Sequence, residues 1–126
     1  MDRKTLIEQY KKTKRPMGVY RVRNTQSGRS LIGSSTDVRA ILNRHQAQLQ
    51  LRSHAVAALQ SDWDTLGPDA FAFEVLDTLE PREDAARDER AERDELRALE
   101  ELWVEKLSAS DDLGYTPRVA SRGGVA

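Results

Sequence analysis

Between residues 18 and 54 apolar and polar positions first alternate and then recur at helical spacing, and the rest of the chain is organised around that stretch. Met17 to Arg23 alternates, with Gly18, Tyr20 and Val22 on one face and Val19, Arg21 and Arg23 on the other, the period of a half-buried strand. A second strand is expected at about Arg29 to Gly33, with Leu31 and Gly33 on one face and Ile32 on the other. Between them Asn24-Thr25-Gln26-Ser27-Gly28 is polar and holds a glycine able to take positive φ, so the pair reads as a β-hairpin. Ser34-Ser35-Thr36-Asp37 offers several helix N-caps. Val38, Ile41, Leu42, His45 and Leu49 then fall on one helical face, through about Leu49.

Further on, Ser53 is a candidate cap for a helix with Val56, Leu59, Trp63 and Leu66 along one stripe, ended by Gly67-Pro68. Phe71, Phe73 and Val75 alternate with Ala72, Glu74 and Leu76 as a third strand. After Pro81 the chain is nearly all charge, an acidic helix over residues 82–95. Leu96, Leu99, Leu102, Trp103 and Leu107 continue it with an apolar stripe that docks on the core. At the other end, residues 1–16 read as a basic helical extension closed by Pro16, and 117–126 as a flexible tail, leaving one domain over 17–116.

The 126 residues suffice for a core without staples, and the lack of cysteine excludes disulfides and thiolate metal sites. That cysteine usage fits a cytoplasmic setting. No apolar run reaches membrane-spanning length, and Met1-Asp2-Arg3-Lys4 is not followed by the apolar block of a secretory signal. The net charge of −1 hides a split: residues 1–60 hold 12 Lys/Arg and 3 Asp/Glu, residues 61–126 hold 8 and 18. Such asymmetry suits a basic surface for a polyanion, with Lys14, Arg15, Arg21, Arg23, Arg39 and His54 as its candidate contacts; two halves that mix on one folded surface are the plainer explanation.

The candidates for chemistry are Tyr20 in a strand, His45 on a helix, His54 at a helix start, Glu100 in the late helix, and nearby arginines. A tyrosine acts as general base when cations lower its pKa, a carboxylate holds a divalent ion, and an arginine neutralises a phosphate in the transition state. Together they suffice for metal-assisted phosphodiester hydrolysis. Singly, each has a duller explanation: Tyr20 a core residue with a satisfied hydroxyl, His45 an interior histidine, Glu100 a surface carboxylate beside a packed stripe.

In order and spacing the set resembles the GIY-YIG nuclease family over about residues 17–116. Gly18-Val19-Tyr20 is similar to that family's first motif and Leu31-Ile32-Gly33 to its second, with ten residues between Tyr20 and Leu31. Ser34-Ser35-Thr36-Asp37 is similar to the family's turn into its first helix, His45 matches its helix histidine, and His54 a histidine of the homing-endonuclease branch. Glu100 falls on the metal-binding glutamate. The resemblance implies an α/β domain of the α+β kind, a small three-stranded antiparallel sheet flanked by helices. It also implies one Mg²⁺ or Mn²⁺ site at Glu100, hydrolysis of DNA, Tyr20 as the base toward water, and His45 hydrogen-bonded near Tyr20 or shuttling protons.

Three positions depart from the family pattern. The second motif's tyrosine is Leu31, the arginine expected four residues before the helix histidine is Ile41, and the late asparagine is Thr116. Arg44 is then the candidate replacement cation. The departures leave three readings: a DNA endonuclease, a catalytically dead fold that binds nucleic acid, or a protein-interaction module whose partner docks on the acidic helix 82–95.

Overall fold

Three strands form one antiparallel sheet in the order β2-β1-β3. They are β1 (Met17–Asn24), β2 (Ser30–Ser35) and β3 (Phe71–Leu79). The computed structural model describes residues 16–79, 89–109 and 112–116. The β1–β2 turn is held by Asn24, whose Oδ1 accepts from the N–H groups of Gln26 and Ser27, while Gly28 takes a φ of 80°. Tyr20 therefore lies opposite Gly33 on β2 and Val75 on β3, with a register shift in the β1–β3 pairing between Val19 and Tyr20. Gly18 is required where β3 crosses it, because a Cβ there would sit 2.0 Å from the Asp77 carbonyl oxygen. β3 runs three residues past the expected Leu76, since Asp77, Thr78 and Leu79 still pair with Val19, Gly18 and Met17.

Helices cover both faces. α1 (Val38–Gln50) starts at Asp37, whose carboxylate accepts from the Ala40 N–H at 3.1 Å. α2 (Ala57–Leu66) is capped by Val56 rather than by Ser53, whose N–H instead donates to Gln48 O at 2.9 Å and closes the end of α1. The turn between the two helices passes through Arg52 at a φ of 58°. α3 (Glu89–Ser108) lies across the opposite face of the sheet.

Each face has its own core, as the alternation along β1 dictates. Val22 and Leu31 pack with Leu49, Leu59, Trp63, Phe71 and Tyr115 under α1 and α2. Val19 and Ile32 pack with Val104 and Leu113, joined by Leu99, Trp103 and Leu107, under α3. Leu102, expected in that stripe, is 61% exposed, and Val104 fills the core position instead.

Residues 112–116 clasp the outer edge of β2. Arg29 and Asp112 form a parallel bridge, Leu113 enters one core and Tyr115 the other. Between them the Thr116 hydroxyl accepts from the Ile32 N–H at 3.1 Å and donates to Ser30 O at 3.0 Å. One hydroxyl thus satisfies a donor and an acceptor of the edge strand, which otherwise invites pairing with another chain. The expected N-terminal extension with Lys14 and Arg15, residues 82–88 of the acidic segment and the tail 117–126 lie outside the described residues. Residues 89–95 form the start of α3. No described helix is long and apolar enough to cross a membrane.

Candidate active site

Tyr20 is buried at 7% exposure, and its ring lies over the neighbouring strand at Gly33. A Cβ at Gly33 would come within 2.4 Å of the phenol oxygen, so this glycine exists to let the hydroxyl cross β2. The oxygen ends 2.9 Å from His45 Nε2, and His45 Nδ1 is 2.8 Å from His54 Nε2. His54 is pinned in turn: the Val56 N–H donates to its Nδ1 at 3.0 Å, and its main-chain N–H donates to Gln60 Oε1 at 3.1 Å. Gln60 Nε2 donates to Leu49 O at 3.0 Å and to Asp64 Oδ1 at 3.0 Å, tying the arrangement to the end of α1.

Glu100 reaches the same strand from the other face. Four residues after Leu96 it sits inside the apolar stripe of α3 and is 9% exposed, and Ser34 Oγ donates to its Oε1 at 3.1 Å. Ser34 follows Gly33 and so points to the α3 face while Tyr20 crosses on the α1 face. The carboxylate is close enough to act on the phenol. Burial first, and the Glu100 charge second, push Tyr20 up to about 12. Burial, helped by His54 and Arg44, pulls His45 down to about 4, and burial also lowers His54, so both rings are neutral near pH 7.

No group of three or more His, Cys, Asp or Glu side chains suited to a metal occurs among the described residues. A single buried carboxylate with hard oxygen atoms does not make a zinc site, but it fits a hydrated Mg²⁺ or Mn²⁺ that draws its remaining ligands from water and phosphate.

No family model and no curated protein matches the chain. Solved structures that it resembles include the catalytic domain of the homing endonuclease I-TevI, a GIY-YIG nuclease, at 21% identity and a TM-score of 0.60 over 79% of this chain and 96% of that one. A mutant form of the catalytic domain of intron endonuclease I-TevI is similar at 20% identity and a TM-score of 0.58, over 74% of this chain and 84% of that one. The chain has a GIY-YIG-like fold.

Within this GIY-YIG-like fold the three departures have separate physical explanations. Leu31 is core, 5% exposed among Leu49, Leu59 and Trp63, so an apolar side chain stands where the motif has a phenol. Thr116 satisfies the edge of β2, work that the donor and acceptor of an amide side chain also perform. Ile41 is only half-buried, one helical turn before His45, and places an apolar side chain where the family pattern has an arginine. Arg44 is exposed on α1 and near enough for its charge to lower His45.

Of the residues expected to contact nucleic acid, Arg39 is exposed on α1. Arg21 is not available: its Nε donates to Glu74 Oε2 at 2.7 Å, and its side chain is 13% exposed beneath α3. Arg23 is half-buried on that same face, with Nε inaccessible and without a hydrogen-bond partner among the described residues. His54 is 9% exposed and turned inward to His45, because Arg52 and the Ser53 turn fold it back under α1. Sequence reasoning missed Ser34 as the partner of Glu100, having read it as a helix cap; strict alternation along β2 places it on the Ile32 face. It also missed the Val56 N–H and Gln60, for which the sequence carries no signal.

Proposed function

We propose that this GIY-YIG-like domain is a DNA endonuclease that hydrolyses phosphodiester bonds with one Mg²⁺ or Mn²⁺ ion. The reading is carried by one observation, the approach of Tyr20 and Glu100 to adjacent residues of β2, Gly33 and Ser34, from opposite faces of the sheet, near enough for the Glu100 charge to act on the phenol. It is supported by the fold shared with a homing endonuclease catalytic domain. Glu100, oriented by Ser34, would hold the ion, which would supply positive charge for the phosphate and for the ionised form of Tyr20.

Tyr20, once it has lost its own proton to solvent, takes a proton from the attacking water. The water oxygen forms the new bond to phosphorus and the bond to the leaving oxygen breaks, with a solvent proton completing the product. His45 holds the phenol oxygen in place. Arg44 lends only part of the charge toward the phosphate that a guanidinium at position 41 would give, and Arg39 contacts the backbone of the DNA.

The test is nicking of supercoiled plasmid in Mg²⁺ or Mn²⁺. Tyr20→Phe and Glu100→Ala are each expected to lower the rate by about 10²-fold or more. Wild-type rates in both variants would reject the assignment. The half-buried Ile41 and the high pKa of Tyr20 favour a second reading, a nucleic-acid-binding module without turnover. It is distinguished by salt-dependent DNA binding with no nicking in either metal.

A further inference from the structure

We propose that the Val56 backbone N–H sets the direction of the whole histidine chain, so that His45 donates its proton to the Tyr20 oxygen and the phenol's own proton is left to face the site. A backbone amide is only a donor. Because it lies 3.0 Å from His54 Nδ1, that nitrogen is the bare one, and the single proton of the neutral ring sits on Nε2. His54 Nε2–H then donates across 2.8 Å to His45 Nδ1. His45 Nδ1 being the acceptor, its proton sits on Nε2 and donates across 2.9 Å to Tyr20. The depressed affinity of both rings for a second proton keeps the chain in this form. Gln60 fixes the backbone at the end of it by accepting from the His54 main-chain N–H, and the ring does not turn over without losing its bonds to the Val56 N–H and to His45.

The consequence rests on the nuclease reading. His45 does not receive the proton of Tyr20; it stabilises the oxygen that the proton leaves. His54 and Val56 are positioning groups, one and two hydrogen bonds further from the reacting atoms.

The chain has two histidines, so ring-nitrogen NMR of the untagged protein, labelled with ¹⁵N at histidine, reports these two alone. Near neutral pH both rings are expected in the Nε2–H form. An Nδ1–H form of either ring, or averaging between the two, overturns the proposal. Val56→Pro removes the N–H at a residue whose φ of −87° lies near the range that proline adopts. It is expected to abolish the fixed tautomer of His54 and, with it, that of His45, whereas Val56→Ala keeps both. Unchanged tautomers in folded Val56→Pro also overturn the proposal, and the wild-type spectrum decides alone if that variant does not fold. The readout needs no DNA and no metal: fixed Nε2–H rings without nicking remove the nuclease reading and leave the directed chain intact, while nicking with the opposite tautomers does the reverse.

Discussion

The two sides of Tyr20 are built differently. Toward α1 and α2 every step is partnered, from the phenol to His45, His54, the Val56 N–H and Gln60. One turn earlier on α1, where the proposed reading calls for a cation toward the phosphate, stands the half-buried Ile41, with Arg44 exposed beyond it. On the proposed reading the groups that would handle a proton and a metal are held in place, while position 41, where a cation toward the phosphate is expected, carries an apolar side chain. An active site divides in this way because the two tasks are separable. Proton transfer needs fixed geometry within hydrogen-bond reach, whereas charge neutralisation acts over a longer range and tolerates a cation from elsewhere.

The largest effect that would sharpen the contrast is Ile41→Arg. A guanidinium one turn before His45 is expected to raise metal-dependent nicking by about 10²- to 10³-fold, the scale on which such cations act in phosphoryl transfer. An unchanged rate, measured on supercoiled plasmid, would mean that Arg44 already supplies the charge and that the two sides are equally complete.

Gly33→Ala attacks the partnered side. Its Cβ would lie 2.4 Å from the Tyr20 oxygen and 2.6 Å from Cζ, so the ring must leave its bond to His45. A loss of about 1–3 kcal/mol in denaturant unfolding is expected, the usual cost of overpacking, together with loss of the fixed His45 tautomer. A stability equal to wild type would show that the hydroxyl does not depend on crossing β2.

The smallest effect is a pH dependence. His45 is held near 4 in the fold against its ordinary 6.5, so the folded protein binds fewer protons than the unfolded chain between those values. Its contribution to stability is complete above about pH 6.5 and is lost as pH falls toward about 4. Thermal unfolding across that window is expected to fall less steeply in His45→Gln than in wild type. Parallel curves would place the ring in solvent rather than in the chain of hydrogen bonds.

Much of this was legible in the chain because it depends on period. Alternation placed Tyr20 with Val22 and Gly33 with Leu31, each pair on one face of its strand, and helical spacing placed Val38, His45 and Leu49 together. Glu100 stood out only through the family resemblance, spacing having read it as a surface carboxylate beside the stripe; four residues from Leu96 it falls within the buried face of α3, whereas Leu102, about 120° around the helix from Leu96, does not. Other features were not legible, for definite reasons. The need for glycine at position 18 comes from the Asp77 carbonyl, a residue of β3 that only the register brings across. The inward turn of His54 depends on the left-handed backbone of Arg52, a conformation its residue type does not announce. Arg21 reads as a free cation until Glu74 is set opposite it, and a local pattern does not contain that pairing. What the sequence hid was contact between elements.

The central claim is that Tyr20 and Glu100 serve one site. Titration of Mn²⁺ into the protein, followed by paramagnetic broadening of side-chain NMR signals, tests it most directly. The Tyr20 and His45 ring signals are expected to broaden at low Mn²⁺, and Glu100→Ala is expected to abolish the effect. Broadening that leaves Tyr20 untouched, or that is identical in Glu100→Ala, would contradict it.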